Sequence, residues 1–295
     1  MTLILVRKTL KDFRISLTVV CVLLFLFQML WAHVAWRISA DILPSFSIGG
    51  VTIDFVRNVL FKGSGQIIQS IMGGAEIDIS KTFHLMSIAY VHPLTFIILC
   101  IWAVGRSTET VAGEIDRGTM ELLLAQPIRR SHVILASLVV DMTAIPLLCL
   151  SIWGGTYLGT WLMGMQESGL AENLHVDPWR FLPGLINVAC FVFAVSGYTL
   201  LLSARGRFRS RVMGLATLVT LVMFLVNVIG QLWPAMEWLR PFTIFYHYLP
   251  QPMILHEHWS TAEVWQHLGV LAGIGAVGYA WAWWSFCKRD LPAPL

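Results

Sequence analysis

Apolar residues in this chain come in long unbroken runs, without the short alternations that a β-sheet requires. Runs at about 15–36, 82–105, 133–163, 181–204, 212–233 and 264–287 contain no Asp, Glu, Lys or Arg apart from Asp141 inside the third. A helix rises about 1.5 Å per residue, so about 20 such residues cross a hydrocarbon core of ~30 Å. The pattern predicts an all-α membrane protein, with residues 1–295 forming a single transmembrane domain of six transmembrane helices. Ahead of the first span, Leu3, Val6, Leu10, Phe13 and Leu17 recur at three- and four-residue steps, with Arg7, Lys8, Lys11 and Asp12 on the other side. That spacing predicts an N-terminal amphipathic interfacial helix on the membrane surface.

Composition agrees, with 57% hydrophobic and only 13% charged residues. Lys and Arg collect on one side of the predicted spans: Arg7 to Arg14, then Arg106, Arg117, Arg129 and Arg130, then Arg205 to Arg211, then Lys288 and Arg289. Cations flanking a span are retained in the cytoplasm, so both termini are expected there, in a multi-pass protein of the cell inner membrane. The net charge of +3 is then a topology signal, and no nucleic-acid partner is expected. The arginines of 205–211, wedged between two spans, read as a stop-transfer and lipid-headgroup patch, which makes membrane lipids a partner.

Two connections on the opposite side stand out. Residues 37–81 are half apolar and punctuated by Gly49, Gly50, Gly63, Gly65, Gly73 and Gly74, which suggests a pair of short surface helices. Residues 231–260 carry Trp233, Trp238, Phe242, Phe245, Tyr246, Tyr248 and Trp259, broken by Pro234, Pro241, Pro250 and Pro252. Rings of this kind favour the headgroup level and prolines stop a helix, so this segment is expected to dip into the interface without crossing. Gly155 with Gly159, and Gly269 with Gly273, have the GxxxG spacing that lets two helices approach closely, by default within the subunit.

One segment gathers charge where the chain otherwise avoids it. Residues 111–130, VAGEIDRGTMELLLAQPIRR, hold Glu114, Asp116, Arg117, Glu121, Arg129 and Arg130. Val111, Ile115, Leu122 and Leu123 give the segment an apolar stripe, Gly118 loosens its middle, and Pro127 ends it before the third span. By the topology above it lies on the cytoplasmic side between spans two and three, where a force could enter the bundle. No Gly-x-x-x-x-Gly-Lys-Ser/Thr loop occurs, so the chain cannot cradle a nucleotide in that way.

The run Glu114-Ile-Asp116-Arg117-Gly118-Thr119-Met-Glu121-Leu-Leu123-Leu124-Ala-Gln-Pro127-Ile-Arg-Arg130 resembles the motif of the membrane permease subunits of type-2 ABC exporters. The resemblance implies that this run is a cytoplasmic coupling helix seated in a groove of an ATPase. Glu114, Asp116, Arg117 and Glu121 would pair with that partner, and Leu123 and Leu124 would be the anchor. It further implies two separate ABC ATPase subunits that bind ATP and magnesium, no cofactor and no catalysis in this chain, and a second permease copy or close homologue. The sequence departs from the family at Ser137, where many members carry a lysine; Arg129, Arg130 and His132 are the nearby cations. An alternative is an ATP-coupled assembly or maturation factor acting on a periplasmic partner without transporting cargo. An intramembrane enzyme would need paired acids, a Ser/Lys or Ser/His dyad or a His-Glu-x-x-His helix, and none is visible.

Ionisable and amide groups within spans are the remaining candidates. Asp141 lies about 15 Å into the third span, where a carboxylate is costly unless paired or protonated. His92, Asn187 and Asn227 are the neighbours expected at similar depth, for a polar cluster or a proton path. His256, Glu257 and His258, with His247 and His267 nearby, invite a metal reading. Residues two apart on a helix diverge, so no metal site is assigned. Cys21, Cys100, Cys149, Cys190 and Cys287 fall in or at the end of apolar runs and read as small hydrophobes.

Overall fold

The structure is a computed structural model that describes residues 2–42, 78, 80–126, 128–167, 169–256 and 258–289. Among the described residues there is no strand, and six helices are long and apolar enough to cross a membrane. The 37–81 loop lies almost wholly outside the described residues, as do Pro127 and Glu257.

Helix α1 (Thr2–Arg37) is a single uninterrupted helix of 36 residues, closed by a π turn at Ile38–Ile42. The expected interfacial helix is therefore not a separate element in this fold. Its apolar stripe continues into the span, with Leu5, Val20 and Leu24 buried on one face. At about 54 Å, α1 is longer than the hydrocarbon core, and its first turns run on beside the charged segment.

The second span is two helices, α2 (Thr82–Val91) and α3 (Pro93–Thr108). Pro93 disfavours the helical conformation at the residue before it, and His92 is extended with ψ 137°. The break is re-capped, because His92 Nδ1 accepts the Leu94 N–H at 3.2 Å. Beyond α3 come a π turn (Glu109–Gly113), α4 (Glu114–Asp116) and α5 (Thr119–Leu124). Then follow α6 (Arg130–Leu162), α7 (Leu182–Arg205), α8 (Arg209–Leu232), the short α9 (Pro250–Leu255) and α10 (Ala262–Lys288).

Two close pairs organise the bundle. Helix α1 lies against α6, where a Cβ on Gly159 would stand 2.6 Å from the Ala32 Cβ and one on Gly155 would meet the Phe25 carbonyl. Helix α7 lies against α10, where a Cβ on Gly197 would stand 2.5 Å from the Gly275 carbonyl. Lipid gives helices little incentive to associate, so such contacts rest on backbone proximity and dispersion. The second GxxxG is used differently from the first, since nothing lies within 4 Å of a Cβ on Gly269 or Gly273.

The aromatic connection divides into two parts. A 3-10 helix at Pro234–Phe242 leaves Trp238 and Phe242 exposed, whereas Phe245 and Tyr248 turn into the bundle. Phe245 meets Phe96 and Phe191 edge-on at 5.5 and 5.4 Å, and Tyr248 Oη donates to the Tyr90 carbonyl at 2.6 Å. This half fills the core beside the α2–α3 break.

Candidate functional site

Two polar constellations lie near one end of the bundle, one dry and one wet. The dry one centres on Arg106 at the end of α3, which is 1% exposed. Its Nη1 donates to Asp141 Oδ2 at 3.0 Å and to Ser137 Oγ at 2.6 Å, and its Nη2 donates to the Ser137 carbonyl at 2.7 Å. Tyr279 Oη on α10 donates to the same Asp141 oxygen, and its ring stacks on Phe193 of α7 at 5.3 Å. One guanidinium thus fastens α3 to α6, and one carboxylate fastens α6 to α10. Away from water such a pair is attractive only with good geometry, and removal of either partner strands a charge. The arrangement holds three spans at one rotational setting.

The wet constellation is the charged segment. Glu109 accepts from Arg117 and is ion-paired with Arg209 Nε, at the start of α8, at 2.6 Å. Glu114 is paired with Lys8 of α1 and with Arg117, each at 3.4 Å, and accepts from Thr119 Oγ1. Asp116 Oδ2 accepts the Arg209 backbone N–H at 3.3 Å. Ser203 of α7 accepts the Ala112 N–H at 3.0 Å and donates to the Thr108 carbonyl at 3.1 Å. The hydrogen bond to Glu109, helped by the charges of Glu109 and Glu114, pushes the Arg117 pKa up, so it keeps its proton. Between this segment, α3 and the first turns of α1 lies a cavity of about 660 Å³, lined by Lys8, Phe13, Trp102, Arg106, Glu114 and Leu123 among others.

The segment is not one continuous helix. Gly118 adopts φ 70°, a left-handed conformation that separates α4 from α5 and that other residues rarely take. In an unbroken helix Val111, Ile115 and Leu122 would share a face. The break resets the register, so Met120 is buried and Ile115, Leu123 and Leu124 pack with it against Val133, Ile134, Leu200 and Phe286. Leu122 turns outward and is 72% exposed, beside exposed Glu121 and Asp116. Leu123 and Leu124, expected as the anchor for a partner, are partly buried and pack on the chain's own core. Arg130, at the first residue of α6, donates to the Arg289 carbonyl and so staples α6 to the end of α10.

A family model described as ABC-2 family transporter protein matches residues 3–291. The chain belongs to the ABC-2 transporter family. Its members are membrane transport components, and with six apolar helices this ABC-2 chain is a multi-pass membrane protein. No curated protein matches it.

In this ABC-2 protein a cation from another helix lies against position 137. The Arg106 guanidinium lies against Ser137, whereas Arg129, Arg130 and His132, the nearby cations in sequence, make none of the bonds to it. Arg106 lies in helix α3 and not in a loop. The three neighbours expected for Asp141 lie elsewhere. His92 packs between Phe27 and Trp31, at 5.2 and 5.1 Å between ring centres. Asn187 donates to the His247 carbonyl at 3.0 Å and accepts the Leu249 N–H at 2.9 Å, pinning the aromatic connection to α7. Asn227 accepts from Arg240 Nε at 3.5 Å. These three hold the far part of the bundle, and none bonds Asp141.

Sequence reasoning missed Arg106, Tyr279 and Met120 as site residues. A signal for the first two existed: a cation at the edge of one span, a carboxylate inside the next and a phenol inside the last. Among the described residues no three His, Cys, Asp or Glu gather as metal ligands. His247 and His267 do meet, Nδ1 to Nδ1 at 2.8 Å, with His247 Nε2 bonded to the Pro241 carbonyl at 3.0 Å. Burial pushes the His247 pKa down.

Proposed function

We propose that this chain is the permease subunit of an ATP-driven ABC exporter, coupled through residues 109–124 to separate ATPase subunits and working with a second permease copy or close homologue. The observation that carries the reading is the division of labour within the segment. Glu109, Glu114, Asp116, Leu123 and Leu124 fasten it to the bundle, while Glu121 and Leu122 stand exposed on its outer face. A partner that grips the outer face pushes on α3 directly and on α6 through the Arg106–Asp141 pair. Exposed apolar anchors flanked by charge are the usual grip of such an interface.

The segment's orientation toward the cytoplasm, with both termini on that side, follows from the Lys and Arg distribution. ATP and magnesium then belong to the partner. Helix α3 also forms one wall of a cleft of about 500 Å³ against α8, lined by Phe96, Cys100, Val104, Met213, Leu221 and Phe224 among others. A lever on α3 would change the width of that cleft, and its apolar lining suits an amphiphilic or apolar cargo.

The test is reconstitution of the permease with its ATPase in liposomes. Glu114→Ala releases Lys8, Arg117 and Thr119 together and is expected to abolish ATP-driven export while the variant still inserts and still binds the ATPase. Full export by this variant would contradict the reading. ATP hydrolysis that depends on the permease but moves no cargo across the bilayer would favour the assembly-factor alternative.

A further inference from the structure

The motif Arg205-Gly-Arg-Phe-Arg-Ser-Arg211 places four arginines in seven residues between α7 and α8. Among the described residues Arg209 alone of the four is ion-paired, to Glu109. Among the described residues, Arg205, Arg207, Arg211 and the nearby Lys288 form no ion pair. They lie on aromatic rings instead. Arg205 sits over Trp281 at 5.0 Å, Arg207 and Arg211 over Phe208 at 5.7 and 4.9 Å, and Lys288 over Trp284 at 4.5 Å. Arg289 is held in the same cluster, its Nη1 donating to the Ala204 and Gly206 carbonyls at 2.9 and 2.8 Å. Burial, followed by the Arg207 charge beside it, pushes the Arg289 pKa down.

Like charges that are not ion-paired among the described residues, as Arg205, Arg207, Arg211 and Lys288 are not, repel one another and favour an anion. The rings say where that anion lies. Trp281, Trp283, Trp284 and Phe208 are each between 42% and 50% exposed. The cations sit where α7 and α10 end and α8 begins. Tryptophan favours the headgroup level, and cations one or two turns further out reach the phosphates.

We propose that this patch is a binding surface for anionic phospholipid headgroups, with Arg205, Arg207 and Arg211 as the phosphate-facing cations. The aromatic rim favours a lipid over an acidic protein face, which would not need rings at bilayer depth. The surface does not depend on the coupling role of residues 109–124, nor on which leaflet the patch faces. Basic residues near a membrane surface each contribute several-fold to anionic lipid preference, so loss of three should be plain.

The purified full-length protein in detergent would be titrated with phosphatidylglycerol and, separately, phosphatidylcholine, with bound lipid counted by native mass spectrometry. The unaltered protein is expected to prefer phosphatidylglycerol. The triple variant Arg205→Gln, Arg207→Gln, Arg211→Gln should weaken that lipid about tenfold or more and leave phosphatidylcholine binding unchanged. The matching triple substitution to Lys should retain most of the preference, which also serves as the control for folding. Equal affinity of the Gln triple and the unaltered protein for phosphatidylglycerol would overturn the proposal. So would a Gln triple that keeps its lipid preference but loses its ATPase, which would make the patch a protein-docking face.

Discussion

Arg106 and Arg117 lie near the same end of the molecule, eleven residues apart along one chain segment, and both are paired with carboxylates. The difference is water. Both side chains of the Arg106–Asp141 pair are 0% exposed, whereas Arg117 is 48% exposed. A dry pair is costly to separate, because each charge is costly without the other, so it fixes helices and is not available to outsiders. A wet pair contributes little to stability and can exchange its partner. The comparison separates a junction that transmits displacement from a surface on which displacement is imposed.

The largest effect is expected at the dry pair. Arg106→Ala or Asp141→Ala strands a charge, and each should destabilise the bundle by about 3–5 kcal/mol. The double variant Arg106→Leu, Asp141→Leu should be more stable than either single variant, read as the thermal unfolding midpoint in detergent. A double variant as unstable as the sum of the singles would show that the two residues do not act as a pair. The smallest effect is expected at the wet pair. Glu109→Gln, between half-exposed Arg117 and Arg209, should cost under about 1 kcal/mol in the same assay. A loss comparable to that of Asp141→Ala would erase the distinction between the two regions.

The spans were legible because membrane crossing imposes a length and a charge-free composition that few other structures share. The role of Arg106 at the end of the second was not. Arg106 marks a boundary by any rule that treats a cation as a stop, and the compensating carboxylate sits 35 residues away on another helix. The charged segment was legible as a motif, yet its inward and outward faces depended on a single dihedral angle at Gly118, which the apolar spacing alone does not reveal. His92, Asn187 and Asn227 were recognisable as polar groups inside spans. Their partners are backbone groups, aromatic rings and an arginine brought together by the α2–α3 break and the inward turn of residues 243–249. Contacts of that kind follow from tertiary packing and leave no local pattern.

The account rests on the outer face of residues 109–124 being what the ATPase grips. A photo-crosslinking side chain at Leu122, with one at buried Met120 as the internal control, tests this in the reconstituted complex. The account predicts a crosslink from position 122 to the ATPase subunit, and from position 120 only to the chain's own α6, α7 or α10. A crosslink from 122 to lipid alone, with the ATPase present and hydrolysing ATP, would contradict it.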